Sequence, residues 1–363
     1  HWPGVVYAKH YLINEPTDAE KVVILVAIFI VSILSWRFIE TPFRDRRRFA
    51  PRERLFAISA GVFAVIVAAN LFVVSKDGFP DRDTGASLSA ELIADPGWQH
   101  WKDCEEAGEE DLSRLCGLGA SDSEPSFLFW GDSHALALAS AVNLSADRQG
   151  ASGQIAVRTA CPPLLRIDRP DKTSCAEFND AMLKHVADHP EIETVILAAR
   201  WALSTSGTRY KNESGSPVTL VDLDTTHDIA RSNPELFETG LRRTVDALLA
   251  LGRRVALVAQ VPEVGFDVPS ANYSAKLTGR DVNEMIAPAI SEYAERNSVP
   301  NRVLGELRSR HGLTIVDPAT LLCDAARCNV VTNGMPLYRD DNHLSLRGCV
   351  FVSELFDGLF TTS

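Results

Sequence analysis

The strongest hydrophobic pattern in the chain is a pair of long uncharged runs near its N-terminus. No charged residue lies between Lys21 and Arg37, and residues 55–75 form a second run without a charge. At about 1.5 Å per residue, each run with its flanks is long enough to cross a hydrocarbon core of about 30 Å. The pattern therefore predicts two transmembrane helices, over about residues 21–40 and 55–75, rather than two buried helices of a soluble core.

The segment between the two runs predicts their orientation. Residues 44–54 contain six arginines against Asp45 and Glu53. Short loops rich in Lys and Arg stay in the cytoplasm, so everything after Lys76 is predicted to lie on the other side of the membrane. A cleaved signal peptide is not favoured, because neither run is followed by a convincing cleavage site.

After the second run the pattern changes to short apolar segments that alternate with helical ones. The strand candidates are residues 126–130, 193–199, 254–261 and 313–316, and the helical candidates include residues 235–250, 281–296 and 346–360. Buried strands that alternate with helices are typical of a parallel sheet covered on both faces. We predict an α/β domain over residues 126–363. It follows a linker or extension over residues 81–125, which is rich in Asp, Glu, Gly and Ser.

Charge divides the chain at about residue 80. Residues 1–80 hold 10 Lys and Arg against 7 Asp and Glu, a net charge of +3, whereas the rest hold 26 against 41, a net charge of -15. This acidic part offers no basic surface to a nucleic acid. The hydrophobic content of 45% excludes a disordered chain. Because the chain begins with His1 rather than Met, we expect a fragment of a longer protein.

The cysteines support an extracytoplasmic location for the acidic part. All seven lie after the second run, and six form close pairs in the sequence: Cys104 with Cys116, Cys161 with Cys175, and Cys323 with Cys328. This spacing is typical of local disulfides in an oxidising compartment, although sequence alone does not fix the connectivity. Zinc is the alternative for the third pair, but no second pair lies nearby. Cys349 is left over and is predicted to be buried on a helix.

A candidate nucleophile follows the first predicted strand. Residues 131–134 read Gly-Asp-Ser-His, and reactive sites in open α/β sheets lie beyond the carboxyl ends of the strands. Ser133 is the candidate nucleophile, and its backbone N–H, at a helix start, is a candidate oxyanion donor. The alternative for Ser133 is a helix N-cap. His134 is expected to be structural rather than the general base.

The candidate partners of this serine lie near the C-terminus. Asp340 and His343 are three residues apart, before the last predicted helix. That spacing can put the carboxylate against one imidazole nitrogen while the other faces the serine. Asp341 is an alternative to Asp340, although the spacing favours Asp340. A capping pair on the surface is the alternative reading of Asp340 and His343.

These motifs resemble those of the SGNH hydrolase-like superfamily. Ser133 matches its GDS block, and Asp340 with His343 matches its D-x-x-H block. The first 80 residues are similar to the end of the acyltransferase-3 (AT3) membrane family, through HWP at residues 1–3 and WRFIETPFR at residues 36–44. With FLFWGDSHA, TACPPLL, VILAARW and LYRDDNHLS as further cues, the chain resembles the C-terminal part of fused AT3/SGNH proteins. Those proteins O-acetylate bacterial surface polysaccharides such as lipopolysaccharide O-antigen.

The resemblance implies a three-layer, flavodoxin-like α/β domain with a parallel sheet, held in the periplasm by the last AT3 helices in the bacterial inner membrane. The implied partners are a glycan acceptor, the lipid bilayer and the remaining AT3 helices, with no nucleic acid. No metal or cofactor is expected in this part, and cytoplasmic acetyl-CoA is implied as the ultimate acyl donor. The resulting hypothesis is ping-pong transfer of an acetyl group through Ser133, Asp340 and His343. The alternatives are a membrane-tethered carbohydrate esterase and a glycan-binding module with a degenerate site.

The oxyanion hole departs from the pattern of the superfamily. The superfamily combines the serine N–H with a Gly in a second block and an Asn in a third, but VILAARW at residues 195–201 has no Asn. Arg200 or Trp201 is the candidate for the third position, and Gly153 for the second. Trp130, Trp201 and Tyr338 are candidates for a sugar-binding surface, although aromatic residues in such positions are more often part of the core.

Overall fold

The computed structural model describes residues 2–11, 16–41, 52–76, 96–110, 115–120, 123–172, 174–224 and 231–361. Its contacts divide the chain into an N-terminal unit and a C-terminal unit. The N-terminal unit contains the long apolar helices, and the C-terminal unit contains the sheet.

The N-terminal unit consists of helices α1 (Trp2–Tyr11), α2 (Asp18–Ser35) and α3 (Arg52–Ser75), with α2 continued by a π-helical turn over Trp36–Glu40. The spans Asp18–Glu40 and Phe56–Ser75 are long and apolar enough to cross a membrane, and none of their residues is buried inside the structure. These spans agree with the two predicted by the uncharged runs. The arginine-rich loop lies largely outside the described residues, so the orientation of the spans stays a prediction.

The C-terminal unit is built around a six-stranded sheet with two small two-stranded additions. The strands are β1 (Cys116–Gly119), β2 (Phe127–Gly131), β3 (Ser152–Val157), β4 (Ile167–Asp168), β5 (Thr194–Ala198), β6 (Val221–Asp222), β7 (Arg254–Val258), β8 (Leu313–Val316), β9 (Val331–Thr332) and β10 (Met335–Pro336). The main sheet has the order β1-β3-β2-β5-β7-β8, in which β1 is antiparallel at one edge and the other five strands are parallel. The predicted α/β architecture with a parallel sheet is confirmed.

Helices connect these strands and cover the sheet. They are α4 (Pro96–Glu110), α5 (Ser133–Gln149), α6 (Cys175–Asp188), α7 (Trp201–Ser206), α8 (Asn233–Ala250), α9 (Val268–Thr278), α10 (Val282–Ile286), α11 (Ile290–Arg296), α12 (Ser298–Leu307), α13 (Ala319–Leu322) and α14 (Leu346–Val352), with a 3-10 helix over Ser353–Leu359. Every residue of β2 and β5 is buried. Strands covered on both faces need apolar residues at every position, which explains their continuous apolar runs.

The predicted segments differ from the structure in three places. The helix predicted over residues 281–296 is two helices, α10 and α11, because Pro288 has no N–H to continue the first one. The last predicted helix is α-helical only to Val352 and continues as a 3-10 helix. The predicted linker or extension over residues 81–125 contains α4 and β1. Its residues 81–95, 111–114 and 121–122 lie outside the described residues.

Three disulfides join the cysteines that are close in sequence. They are Cys104–Cys116, Cys161–Cys175 and Cys323–Cys328. The first fastens α4 to β1, and the second joins the loop after β3 to α6. The zinc alternative for the third pair is wrong in this structure, because the two sulfurs are bonded to each other. Cys349 lies buried on α14, and its thiol donates to the Ala137 carbonyl over 2.8 Å.

Candidate active site

The turn between β2 and α5 presents Ser133 beyond the carboxyl end of a central strand. Gly131 ends β2, Asp132 caps the helix and Ser133 is the first residue of α5. A Cβ atom on Gly131 would lie 1.8 Å from the Ala198 carbonyl oxygen, so only glycine permits this close approach of β2 and β5. Ser133 is half-buried at the carboxyl end of this central strand.

Ser133, His343 and Asp340 form one continuous chain of hydrogen bonds. The Oγ of Ser133 lies 3.0 Å from the Nε2 of His343, and the Nδ1 of His343 lies 2.8 Å from an Oδ2 of Asp340. With the imidazole proton on Nδ1 and shared with Asp340, Nε2 is free to accept from the serine. Residues more than 200 positions apart in sequence thus adopt the arrangement of a nucleophile, a base and an orienting carboxylate.

The environment of Asp340 keeps its carboxylate ionised. Its Oδ1 accepts the backbone N–H groups of Asn342 and His343 over 2.9 and 2.7 Å, while Oδ2 faces the His343 ring. Burial opposes ionisation of this group, but the hydrogen bond and charge of His343 and the two backbone donors outweigh it, so the pKa of Asp340 is lowered. A negative charge therefore faces Nδ1 at neutral pH.

Backbone hydrogen bonds hold the turn that carries Asp340 and His343. The Arg339 N–H donates to the His343 carbonyl over 3.0 Å, which closes the turn on itself. The N–H groups of Val264 and Gly265 both donate to the Asp341 carbonyl over 3.0 Å, which fastens the turn to the connection that follows β7. The two reactive side chains therefore project from a braced loop rather than from a mobile one.

Asp341 does not take the place of Asp340. Its Oδ1 accepts from the Nδ2 of Asn342 over 2.7 Å, whereas the hydrogen bond to the His343 ring comes from Asp340. Burial, followed by the charges of Asp340 and Glu213, raises the pKa of Asp341 to about 6. The structure brings Asp340 to the imidazole, as the spacing predicted.

His134 lies beside His343 but is buried in the turn. It is 3% exposed, and its ring centroid is 4.8 Å from that of His343. Burial, followed by the charges of His343 and Arg200, lowers the pKa of His134 well below its ordinary value. His134 is therefore a neutral neighbour of the His343 ring.

Asp132 ties the turn after β2 to the turn after β5. Its Oδ1 accepts the His134 N–H over 2.8 Å, and its Oδ2 accepts the Arg200 N–H over 3.0 Å. Burial raises the pKa of this carboxyl, although both backbone bonds lower it. Sequence reasoning gave Asp132 no role, since it appeared only as part of the motif around Ser133.

Arg200, a candidate for the oxyanion hole, is committed to other partners. Its guanidinium donates to Glu213 from Nη1 over 2.7 Å and from Nη2 over 2.5 Å, and to Glu263 from Nε over 2.6 Å. Its backbone N–H is taken by Asp132. The expectation of an oxyanion role for Arg200 is corrected by these contacts, because the guanidinium is drawn into a buried ion cluster with the two glutamates.

Gly153, the other candidate, lies at the opposite end of the sheet. It pairs with Phe127 at the start of β2, whereas Ser133 follows Gly131 at its end. That separation is four residues, or roughly 13 Å along a strand. A Cβ atom on Gly153 would lie 2.5 Å from the Phe127 ring. The structure therefore assigns Gly153 to packing and does not bring it to Ser133.

The helix α4 adds a side chain that sequence reasoning missed. Trp98 lies with its ring centroid 5.4 Å from that of His343, and the guanidinium carbon of Arg339 is 4.0 Å from the centre of the Trp98 ring. Trp101 and Glu105 follow on the same face of the helix, at the i+3 and i+7 positions. That spacing was a readable signal of a helix that packs against the domain, in a segment predicted to be a linker or extension.

The three aromatic residues considered for a sugar surface belong to the core. Trp130, Trp201 and Tyr338 are all 0% exposed. The Nε1 of Trp201 donates to the Val258 carbonyl over 2.8 Å, so the indole also satisfies its own polar group inside the core. These rings therefore do not line a sugar-binding surface, and the alternative, that aromatic residues in such positions are part of the core, is confirmed. Trp201 is likewise held inside the core rather than presented as an oxyanion donor.

The family model that matches the chain is described as "SGNH domain (fused to AT3 domains)", and it covers residues 103–358. The chain belongs to this family. The match begins inside α4, so the SGNH domain includes part of the segment predicted to be a linker or extension. It ends within the final 3-10 helix.

Solved structures also match the chain, and one of them shows the same fold. The periplasmic domain of a lipopolysaccharide acetyltransferase from Salmonella ser. Paratyphi A matches with a TM-score of 0.50 at 18% identity, over 75% of this chain and 98% of that one. A Bacteroides fragilis protein provisionally described as an acylhydrolase matches with a TM-score of 0.39 at 9% identity, over 70% of this chain and 94% of that one. No curated protein matches the chain. Membership of the SGNH family and its α/β fold are thus shown together.

Proposed function

We propose that this SGNH domain transfers an acyl group, acetyl in the first instance, to a hydroxyl of a bacterial surface polysaccharide through Ser133. The observation that carries the proposal is the hydrogen-bonded chain from the Ser133 hydroxyl through His343 to the ionised Asp340. Membership of the family of SGNH domains fused to AT3 domains supports an acyl-transfer role.

In the first half-reaction, the Oγ of Ser133 attacks the acyl carbonyl carbon of the donor while its proton passes to the Nε2 of His343. The tetrahedral intermediate then collapses, the bond from the acyl carbon to the donor's leaving atom breaks, and His343 returns the proton to that leaving atom. Asp340 stabilises the imidazolium that exists between these two proton transfers. The products are an acylated Ser133 and the protonated leaving group.

In the second half-reaction, a sugar hydroxyl takes the place of the leaving group. Its proton passes to the Nε2 of His343 as its oxygen attacks the acyl carbon on Ser133. Collapse of the second intermediate breaks the bond to the Oγ of Ser133, which recovers the proton from His343. If water enters instead of a sugar, the same residues hydrolyse the acyl group, so access of water separates a transferase from an esterase.

The helix start supplies the oxyanion donor that we propose. The Ser133 N–H lies in the first turn of α5, where backbone donors have no intrahelical acceptor and the helix dipole favours negative charge. The next N–H along the chain, that of His134, is taken by Asp132. This arrangement supports the Ser133 N–H rather than the His134 N–H as a donor to the developing oxyanion.

We further propose that the domain works on the periplasmic side of a bacterial inner membrane, tethered by the spans Asp18–Glu40 and Phe56–Ser75. The three disulfides support an oxidising compartment. The proposed partners are the lipid bilayer, a glycan acceptor and further AT3 helices. Cytoplasmic acetyl-CoA is the proposed ultimate donor, its acetyl group reaching Ser133 through the AT3 part.

The test uses the full chain in detergent with p-nitrophenyl acetate as an artificial acyl donor. We expect mass spectrometry of the quenched protein to find an acetyl group on the peptide that contains Ser133. Added polysaccharide should accelerate the release of p-nitrophenol and should itself become acetylated. Ser133→Ala should show neither acetylated peptide nor polysaccharide product, with an unchanged circular dichroism spectrum.

The outcomes separate the candidate functions. Acetate on Ser133 that passes only to water supports the esterase. A folded wild-type chain that never acquires acetate on Ser133 contradicts the serine mechanism altogether. Product formation by Ser133→Ala would assign the nucleophile to another residue.

A further inference from the structure

Among the described residues, the imidazole of His343 contacts two other rings, and only one of them belongs to the Gly-Asp-Ser-His turn. That one is His134, on α5, with ring centroids 4.8 Å apart and planes at 47°. The other is Trp98, on α4, with ring centroids 5.4 Å apart and planes at 58°. The hydrogen bonds to Asp340 and Ser133 fix the two nitrogens of His343, and these rings limit the space into which the imidazole can tilt.

Trp98 contacts both arms of the turn that carries His343. The Arg339 guanidinium stacks over the indole at 4.0 Å from the ring centre, and the Arg339 N–H donates to the His343 carbonyl over 3.0 Å. An aromatic face with a guanidinium at this distance gains a cation–π attraction in addition to contact area. Trp98 therefore packs on the first arm of the turn through Arg339 and on the second through the His343 ring.

The helix that carries Trp98 is itself fastened to the domain at three further points. Trp101 is 5% exposed, and its Nε1 donates to the Oγ of Ser140 on α5 over 3.0 Å. Glu105 is 4% exposed and accepts the Thr159 N–H at the end of β3. The disulfide of Cys104 joins α4 to β1. These attachments hold Trp98 against the turn from outside the part of the chain that supplies the three hydrogen-bonded residues.

We infer that Trp98 is a positioning residue: its indole, braced by Arg339 and by the attachments of α4, holds the His343 imidazole in line with the Ser133 hydroxyl. This inference rests on the proposed function, since it assigns Trp98 to the alignment of the same base. The indole acts on the orientation of His343 and exchanges no proton with the substrate. Its removal should slow the acylation of Ser133 without weakening the binding of a small acylating reagent.

The experiment compares Trp98→Ala, Trp98→Phe and Trp101→Ala in the full chain. Trp101→Ala is the matched control, because it also truncates a tryptophan on α4 but leaves the contacts of Trp98 with Arg339 and His343 in place. The other two attachments of α4, through Glu105 and the Cys104 disulfide, still hold the helix against the domain. The probe is a fluorophosphonate, which labels an activated serine. Its concentration dependence separates the maximal labelling rate from the concentration that gives half of that rate, and thermal melting of each variant defines a temperature at which all of them are folded.

We expect Trp98→Ala to lower the maximal labelling rate roughly 10- to 100-fold, as a misplaced catalytic group does, with little change in the half-saturating concentration. Trp98→Phe should keep most of the rate, because it preserves a flat ring beside His343. Trp101→Ala should lower the melting temperature at least as far as Trp98→Ala while labelling at close to the wild-type rate. Proton NMR adds a direct readout: the far-downfield resonance of the His343 Nδ1 proton shared with Asp340 should broaden or disappear only in Trp98→Ala.

A wild-type labelling rate in Trp98→Ala overturns the inference. An equal loss of labelling rate in Trp101→Ala also overturns it, because the rate would then depend on the docking of α4 as a whole rather than on the Trp98 ring. These results are distinct from a failure of the proposed function. In that case the folded wild-type chain itself would not be labelled at Ser133.

Discussion

The turn from Arg339 to His343 places Asp340 on the side of Ser133 and Asp341 on the other side, and the pKa values of these two carboxyl groups shift in opposite directions. On the side of Ser133, Asp340 accepts two backbone N–H groups and faces the His343 ring, and its pKa is lowered. On the other side, burial and then the charges of Asp340 and Glu213 raise the pKa of Asp341 to about 6. Two adjacent residues of one type therefore differ in pKa, because His343 and two backbone N–H groups stabilise the charge of Asp340, whereas burial and neighbouring carboxylates oppose the charge of Asp341.

The ion cluster on the side of Asp341 is chemically dense but does not contact the serine. Arg200 is paired with Glu213 and Glu263, and Arg296 donates to Glu263 from Nε over 2.6 Å. Buried charge and proximity to Ser133 are therefore separate properties in this domain. We expect variants on the side of Ser133 to change the rate, and variants in the ion cluster to change stability.

The largest effect should come from Asp340→Asn. An amide in this place favours the wrong tautomer of His343 and cannot stabilise the imidazolium, so acylation of Ser133 should fall by about 10³- to 10⁴-fold. Stopped-flow measurement of p-nitrophenol release gives the rate. Urea unfolding should show a loss of stability smaller than that of Glu263→Gln, because the lowered pKa of Asp340 means that its charge stabilises the folded state at neutral pH. An acylation rate within tenfold of wild type would contradict the proposal that Asp340, rather than Asp341, orients His343 for the reaction.

Glu263→Gln should have the largest effect on stability. The Glu263 side chain is 1% exposed and pairs with both Arg200 and Arg296. Removal of one partner from a buried ion pair leaves uncompensated charge, which costs about 3 kcal/mol. Urea unfolding measures the loss, and the acylation rate per folded molecule should stay within a few-fold of wild type. Arg302→Gln, in an exposed surface pair with Glu238, is a control for charge removal.

Asp132→Asn should lower both the acylation rate and the stability, because Asp132 connects the turn that carries Ser133 to Arg200 of the ion cluster. The amide group cannot accept both the His134 N–H and the Arg200 N–H, so one buried donor is left unsatisfied at a cost of about 1–3 kcal/mol. We also expect slower acylation, because the turn that presents Ser133 loses one anchor. A variant that loses stability while keeping the wild-type rate would show that the turn needs no tie to Arg200.

Asp341→Asn should have the smallest effect, visible in the pH dependence of stability. Because the folded pKa is about 6 against an ordinary value of 3.8, the folded state binds more protons than the unfolded state between these values, and stability falls as pH rises through them. The variant lacks this decline. After a discount for partial solvent exposure, it should be about 1 kcal/mol more stable than wild type at pH 7.5.

The difference between Asp341→Asn and wild type should shrink toward pH 4, and urea unfolding at pH 4.5, 6 and 7.5 measures it. His134 acts in the opposite direction: its pKa is lowered, so stability falls as pH drops below 6.5. That contribution is common to both proteins and cancels in their difference. A difference that does not change with pH would contradict the raised pKa of Asp341.

The sequence predicted the features that depend on local pattern. The continuous apolar runs of β2, β5 and β7 indicated buried parallel strands, and the position of Ser133 follows from where β2 ends. The run that forms β8 was also predicted to be a buried strand, but only Val316 of that edge strand is buried. The disulfides join the cysteines that are close in sequence. These features are readable because each depends on residues that are near one another along the chain or on a motif with a fixed spacing.

The features that the sequence did not reveal depend on distant partners. Arg200 was a candidate for the oxyanion hole, but its guanidinium binds two glutamates that are 13 and 63 residues away. Gly153 looked like a reactive-site glycine, but its register beside Phe127 is known only once β2 and β3 are paired. Trp98 lies in an acidic segment whose composition is typical of a linker. In each case the deciding contact is tertiary and has no local signature.

The disulfide between Cys104 and Cys116 makes the attachment of α4 to the sheet depend on whether the surroundings are oxidising. It closes a loop that joins α4 to the edge strand of the sheet, and such a crosslink contributes about 3 kcal/mol by loop entropy. A newly made chain in which these two thiols are still reduced would hold α4, and with it Trp98, less firmly against His343. If Trp98 aligns His343 as we infer, oxidation would act as a maturation step, because His343 would be fully aligned only where the two thiols are oxidised.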